Sequence, residues 1–187
     1  KVFQQLIKKG IENVILEASS HGLQQNRLDD LKFNTSIFTN FSRDHLDYHK
    51  SYKSYLNSKM LLFKKLTQIG GLVISDRGIK ESKILKNISR KKKLKTIFLG
   101  KNADLQILDI SKFKDLQLVK FKFNNKVYSF TTKLIGKTQI KNLLMAVIAA
   151  SKLIDISKIV NKLTYVVPVN GRFENIGKLF NNSKVIL

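Results

Sequence analysis

Residues 44 to 49 read Asp-His-Leu-Asp-Tyr-His, so two of the chain's three histidines alternate with carboxylates inside six positions. Imidazole and carboxylate are proton carriers and ligands for divalent cations. A further carboxylate, Glu17, directly follows the apolar run Val14-Ile15-Leu16. In parallel α/β sheets, ligands bind beyond the carboxyl ends of the strands. If the runs ending at Glu17 and at Phe38 are neighbouring strands, Glu17, Asp44, His45 and His49 share one crevice. That donor set around a phosphate fits Mg²⁺, which keeps waters and substrate oxygens and seldom takes an all-protein cage. The plainer reading makes Asp44 a turn cap and the histidines surface residues, and spacing alone does not choose between them.

The next segment holds a second reactive group. On a helical wheel Tyr52, Tyr55, Leu56, Leu62, Phe63 and Leu66 form one apolar stripe with Lys59 at its centre, while Lys53, Lys64 and Lys65 point away. An amine in the middle of a buried face must lose its proton, find an anion, be chemically modified, or reach out to water along its stem.

The elements that must position these groups follow from the hydrophobic pattern. Helical spacing over 2–10 closes at Gly10, and short apolar runs at 13–17, 36–39, 71–75 and 96–99 predict buried strands. Helical patterns at 51–67 and 78–88 intervene, and that alternation predicts an α/β fold with a mostly parallel sheet flanked by helices. From 104 to 135 closely spaced strand-like runs, with Asn124-Asn125 as a turn, predict a small antiparallel sheet. Helices are expected at 138–153 and 156–164, and Val167-Pro168-Val169-Asn170-Gly171 reads as a domain boundary.

Composition narrows the class. The 187 residues carry a formal charge of +22, yet only five of the basic residues are arginine, and the lysines are scattered rather than clustered. Clustered arginine with stacking aromatics is the usual equipment for reading nucleic acid, so no nucleic-acid partner is expected. The run SRKKKLK at 89–95 reads as a solvated loop. No apolar stretch is long enough for a membrane span, no signal-peptide layout opens the chain, and there is no cysteine, which together predict a cytoplasmic protein without a membrane partner.

The segment LEASSHGLQQNRLDDLKFNTSIFTNFSRDHLDYH, followed ten residues later by Lys59, resembles the central domain of the Mur ligases, in the branch that adds the third residue of the peptidoglycan stem peptide. The resemblance rests on E-x-S-S-H-G-L-x-Q-x-R, on T-N-x-S-R-D-H-L-D-Y-H and on the spaced lysine. It continues through LIGKTQIKNLLMA and PVNGRFE and so covers most of the chain.

The resemblance implies an ATP-dependent ligase that joins meso-diaminopimelate to UDP-N-acetylmuramoyl-L-alanyl-D-glutamate through an acyl phosphate, using two Mg²⁺ ions. It implies that Glu17 binds one Mg²⁺ and His45 a second, and that Lys59 is carbamylated beside the second. Ser19, Gln25 and Arg27 match contacts to the UDP-muramyl dipeptide, and Asn142 and Arg172 match contacts to the nucleotide. Gln139 occupies a nucleotide-contacting position where many relatives carry Asn. His21, Asp44, Asp47 and His49 belong to the motif with positioning rather than ligand duty.

By the same resemblance, residues 1–168 form the C-terminal portion of the central ATP-binding domain and 169–187 begin a C-terminal Rossmann-like domain. The phosphate loop, G-x-x-G-K-T, is expected before residue 1, so the piece by itself is expected to be inactive, and the enzyme is expected to be a monomer. A lysine-adding muramyl ligase or a folylpolyglutamate synthase is the alternative within the family, and a basic nucleic-acid-binding module the alternative outside it.

Overall fold

The structure, a computed structural model, describes residues 2–42, 45–169, 175–178 and 184–186. Helices α1 (Val2–Lys8) and α2 (Ser20–Gln24) precede strand β1 (Phe33–Phe38), and the short α3 (Leu46–His49) leads into α4 (Tyr52–Leu61). A π-helical turn at Leu62–Leu66 delivers the chain to β2 (Thr67–Asp76), followed by α5 (Ser82–Lys91) and β3 (Lys95–Leu99). Then come β4 (Leu105–Phe113), β5 (Leu116–Phe123), β6 (Lys126–Thr132), α6 (Lys137–Ala150), α7 (Ile156–Val160) and a 3₁₀ turn at Leu163–Tyr165. Among the described residues, strands β7 (Asn175–Lys178) and β8 (Lys184–Ile186) pair with each other in a separate sheet.

Strands β1 to β6 lie side by side in chain order; β1 to β4 run parallel and β4 to β6 antiparallel. The expected antiparallel unit is thus continuous with the parallel sheet, joined to it where Leu99 of β3 meets Leu105 of β4. Strand β2 shows why the sheet is covered on both faces. Its Leu72 and Ile74 pack in one cluster with Ile140, Leu144 and Ile148 of α6, while Val73 packs in another with Met60, Phe63 and Leu85. Successive side chains alternate faces, so an unbroken Leu-Val-Ile run is what a twice-covered strand requires. Burying each such side chain stabilises the fold by about 1.5–3 kcal/mol.

Two close-range features follow from local chemistry. Asn124 and Asn125 both take positive φ (49° and 61°) between the paired residues Phe123 and Lys126, the two-residue hairpin geometry whose left-handed positions asparagine tolerates. At Gly71 an added Cβ would lie 2.8 Å from the carbonyl of Gln68 in its own strand and 3.0 Å from that of Asn34 on β1. This is also where the β1–β2 register shifts.

Three expectations are corrected. Residues 11–19 form no strand, and Val14, Ile15 and Leu16 are exposed. A strand needs a neighbour to satisfy its backbone, and among the described residues β1 pairs with β2 alone. Helix α5 runs on through Ser89, Arg90 and Lys91, since Leu85 and Ser89 share its buried face, so the basic run is part helix, part turn and part strand. The second C-terminal helix ends at Val160, not at 164, and a 3₁₀ turn follows. Among the described residues no helix is long and apolar enough to cross a membrane.

Candidate active site

The chain leaves β1 at Phe38 and re-enters regular structure at His45, the N-cap of α3, whose backbone is left-handed (φ 53°, ψ 28°). Helix α3 lies against α4, and α4 lies against α2. This packing gathers all three histidines: ring centroids are 5.1 Å apart for His21 and His45 and 5.3 Å for His21 and His49. Tyr55 of α4 closes the group, stacked on His49 at 5.0 Å and edge-on to His45 at 5.9 Å.

Lys59 sits one turn beyond Tyr55. Its Nζ lies 5.3 Å from the Tyr55 ring centre and 5.9 Å from that of Phe38, so the half-buried amine faces the carboxyl end of β1. The stripe read from the sequence is the buried face of α4 and the π turn: Tyr55, Phe63 and Leu66 are buried, although Tyr52 is exposed. Lys53, Lys64 and Lys65 do point to solvent.

Burial pushes the His49 pKa below its ordinary value, and the imidazoles of His21 and His45 and the Lys59 ammonium push it further, with Asp47 partly opposing.

The other predicted site residues are placed as follows. Ser19 caps α2, its Oγ accepting the Gly22 N–H at 3.1 Å, and its hydroxyl proton remains free to donate. Gln25 donates from Nε2 to the Tyr48 hydroxyl at 2.8 Å, and Arg27 is exposed just past the helix. Glu17 is exposed on the segment that was expected to be a strand, two residues before the Ser19 cap. Gln139 and Asn142 are half-buried on α6, which is tied to the carboxyl end of β2 by the ion pair between Lys141 and Asp76. Arg172 and Asp44 lie outside the described residues.

Among the described residues no three His, Asp or Glu side chains converge to hold a metal. His45 and Lys59 instead each border the Tyr55 ring, at the rim of an open site. Such a site fits a cation that takes its remaining ligands from water and substrate oxygens, and a carbamate on Lys59 would supply it with oxygen donors.

Sequence reasoning missed Ser20, Tyr48, Asp76 and Lys141. Ser20 accepts from or donates to His49 Nε2 at 2.9 Å, a buried contact across 29 residues. Tyr48 lay in the motif and could have been suspected as an aromatic with a polar end; nothing singles out Lys141 among so many lysines.

Residues 1–150 match the Mur ligase middle domain. The UDP-N-acetylmuramoyl-L-alanyl-D-glutamate–2,6-diaminopimelate ligase of Rickettsia bellii (strain RML369-C) is 41% identical over 181 residues, covering 95% of this chain and 38% of that protein. The ligase of the same name from Zymomonas mobilis is 34% identical over 185 residues, covering 96% of this chain and 37% of its own length. The chain therefore spans a little over a third of these relatives. A solved structure of a diaminopimelate ligase of that name superposes with a TM-score of 0.77 at 24% identity, covering 87% of this chain and 34% of the other. The MurF ligase of Thermotoga maritima in complex with ADP gives a TM-score of 0.65 at 16% identity, covering 79% and 34%. With a mixed six-stranded sheet of the same fold and a family match over most of its length, the chain belongs to the Mur ligases, as part of their middle domain.

Proposed function

We propose that this chain is the metal-bearing part of an ATP-dependent ligase that adds meso-diaminopimelate to UDP-N-acetylmuramoyl-L-alanyl-D-glutamate. The observation that carries the reading is that His45 and Lys59 both border the Tyr55 ring, with the Lys59 amine also near Phe38 at the carboxyl end of β1. The similarity to relatives bearing that name supports the choice of substrates. Residues 1–168 would belong to the central domain and 169–187 to the next, in a monomeric cytoplasmic enzyme.

In this reading the γ-phosphoryl group of ATP passes to the side-chain carboxylate of D-glutamate, the diaminopimelate amine attacks the acyl phosphate, and phosphate leaves. Each step crowds anions together, and their alignment is the main task of the protein. Arg27 and the amide of Gln25 bind and orient the muramyl dipeptide, with the Ser19 hydroxyl donating from the helix cap. Asn142, Gln139 and Arg172 hold the nucleotide. Glu17, His45 and a carbamate on Lys59 are the residues that would hold Mg²⁺. Bound there, Mg²⁺ supplies neutralisation of phosphate charge where the phosphoryl group moves.

Phosphate release by the complete protein, measured with ATP, the UDP-muramyl dipeptide and either diaminopimelate or lysine, tests the proposal. Release that requires diaminopimelate supports it. Preference for lysine would shift the assignment to the lysine-adding branch, and absence of release with both would overturn it.

A further inference from the structure

His45 is held in a conformation that residues with a Cβ seldom adopt, and nothing in its own helix explains that. Helix α3 is a single turn with left-handed residues at both ends, His45 at φ 53° and Lys50 at φ 62°. The His45 side chain makes no capping bond, and one isolated helical turn does not sustain itself. Its hold is external and centres on His49. That side chain is 2% exposed, its Nε2 is 2.9 Å from Ser20 Oγ, and its ring is stacked on Tyr55. Its backbone N–H donates to the His45 carbonyl at 3.0 Å, and the Lys50 N–H donates to that of Leu46 at 2.9 Å. The adjacent Tyr48 adds a second tie to α2, through Gln25 and through its ring, 4.0 Å from His21.

The partners of His49 also fix its proton. Nδ1 is buried with no hydrogen-bond partner among the described residues, so the imidazole proton belongs on Nε2, donating to Ser20 Oγ. A bare lone pair is the smaller cost of the two tautomers, since an orphaned N–H would lose a full donor bond.

We infer that His49 is the positioning residue for His45: by fastening the end of α3 to Ser20 and Tyr55 it holds the His45 backbone left-handed and its imidazole against the Tyr55 ring. The same fastening joins α2, which carries Ser19 and Gln25, to α3. The inference rests on the role proposed above for His45.

The test uses the complete enzyme and three variants. His49→Phe keeps the ring on Tyr55 but loses the N–H, Ser20→Ala removes the acceptor, and His49→Gln restores a donor of similar reach. In metal-free protein, hydrogen exchange at the His49 and Lys50 amides is expected to quicken about tenfold or more in the Phe and Ala variants, with β2 unchanged. Their kcat is expected to fall about 10- to 100-fold, the usual cost of losing a residue that orients a ligand, with KM for ATP within about twofold of wild type. His49→Gln is expected to recover most of both. Should His49→Phe fail to fold, Ser20→Ala and His49→Gln carry the comparison. Wild-type exchange and kcat in Ser20→Ala, or a lowered melting temperature with kcat intact, would overturn the inference. A His45→Ala control separates the two ideas: full turnover there removes the proposed role of His45, and this inference with it. Loss of turnover there beside normal His49→Phe removes the inference alone.

Discussion

Removing either partner of the Asp76–Lys141 ion pair is expected to cost unequal amounts. The Asp76 side chain is 7% exposed and that of Lys141 28%, and Asp76 Oδ1 also accepts the Gly78 N–H at 2.8 Å. Lys141→Met strands a buried carboxylate with one peptide N–H for company, which places the cost near the lower end for broken buried pairs, about 3 kcal/mol. Asp76→Asn leaves no charge at the buried end and keeps an oxygen for Gly78, while the freed lysine can turn its ammonium toward water along its flexible stem. That variant is expected to lose about 1 kcal/mol, the worth of one net hydrogen bond. Replacing both, as Asp76→Leu with Lys141→Met, is expected to cost less than Lys141→Met alone, because no charge is left buried. Hydrogen exchange at the slowest amides of β2 and α6 in the complete protein reads these differences as free energies. Equal losses for the two single variants, or a larger loss for Asp76→Asn, would refute the assignment of the cost to the stranded carboxylate.

Lys59→Ala in the complete enzyme is expected to be nearly inactive and partly rescued by short carboxylic acids, which replace a carbamate's oxygens. Lys59→Arg is expected to fail as well, and wild-type turnover of the Arg variant would return Lys59 to a plain cation over Tyr55 and Phe38. Glu17→Ala and His45→Ala are expected to lower kcat far more than they raise KM for the muramyl dipeptide, whereas Arg27→Ala is expected chiefly to raise that KM; steady-state kinetics separates the two patterns. Because folding lowers the His49 pKa from its ordinary 6.5, the folded state binds fewer protons there than the unfolded state. The stability owed to neutral His49 is full above about pH 6.5 and is lost as pH falls through the lowered value. Melting temperature is therefore expected to fall more steeply below pH 6.5 in wild type than in His49→Gln, and identical slopes would deny the burial effect.

Local signals carried a good part of this fold. The hairpin at Asn124-Asn125 was legible because its two backbone angles demand particular residues, and the buried face of α4 because its period is set within one helix. What the pattern reports is burial, not partnership. The Val14-Ile15-Leu16 run has the composition of a strand, but forming one depends on a neighbour elsewhere, and the structure leaves it exposed. The same limit hid the Asp76–Lys141 pair, 65 residues apart, and the Ser20–His49 contact. His45 and Lys59 could be named as candidates from their types and the helix wheel, yet their common neighbour Tyr55 depends on how α3 docks, which no periodicity encodes. Glu17 was placed by assuming a strand, and it sits instead on irregular backbone.

The seam between β3 and β4 has a consequence for the order in which this chain assembles. On one side, β4, β5 and β6 are joined by loops of two residues, so their pairing closes little chain and forfeits little entropy. On the other, β1 finds β2 only after 28 intervening residues, and β2 finds β3 after 18, each a costlier closure made before any contact rewards it. The three-stranded meander, with α7 and the 3₁₀ turn against β6, is thus expected to form first, and the parallel half that carries the candidate site to condense on it later, through the narrow join at Leu99 and Leu105. Trimming Phe121 in the meander should slow folding, whereas trimming Val73 in β2 should chiefly hasten unfolding, so that the half of the sheet serving the chemistry is also the half that lets go first.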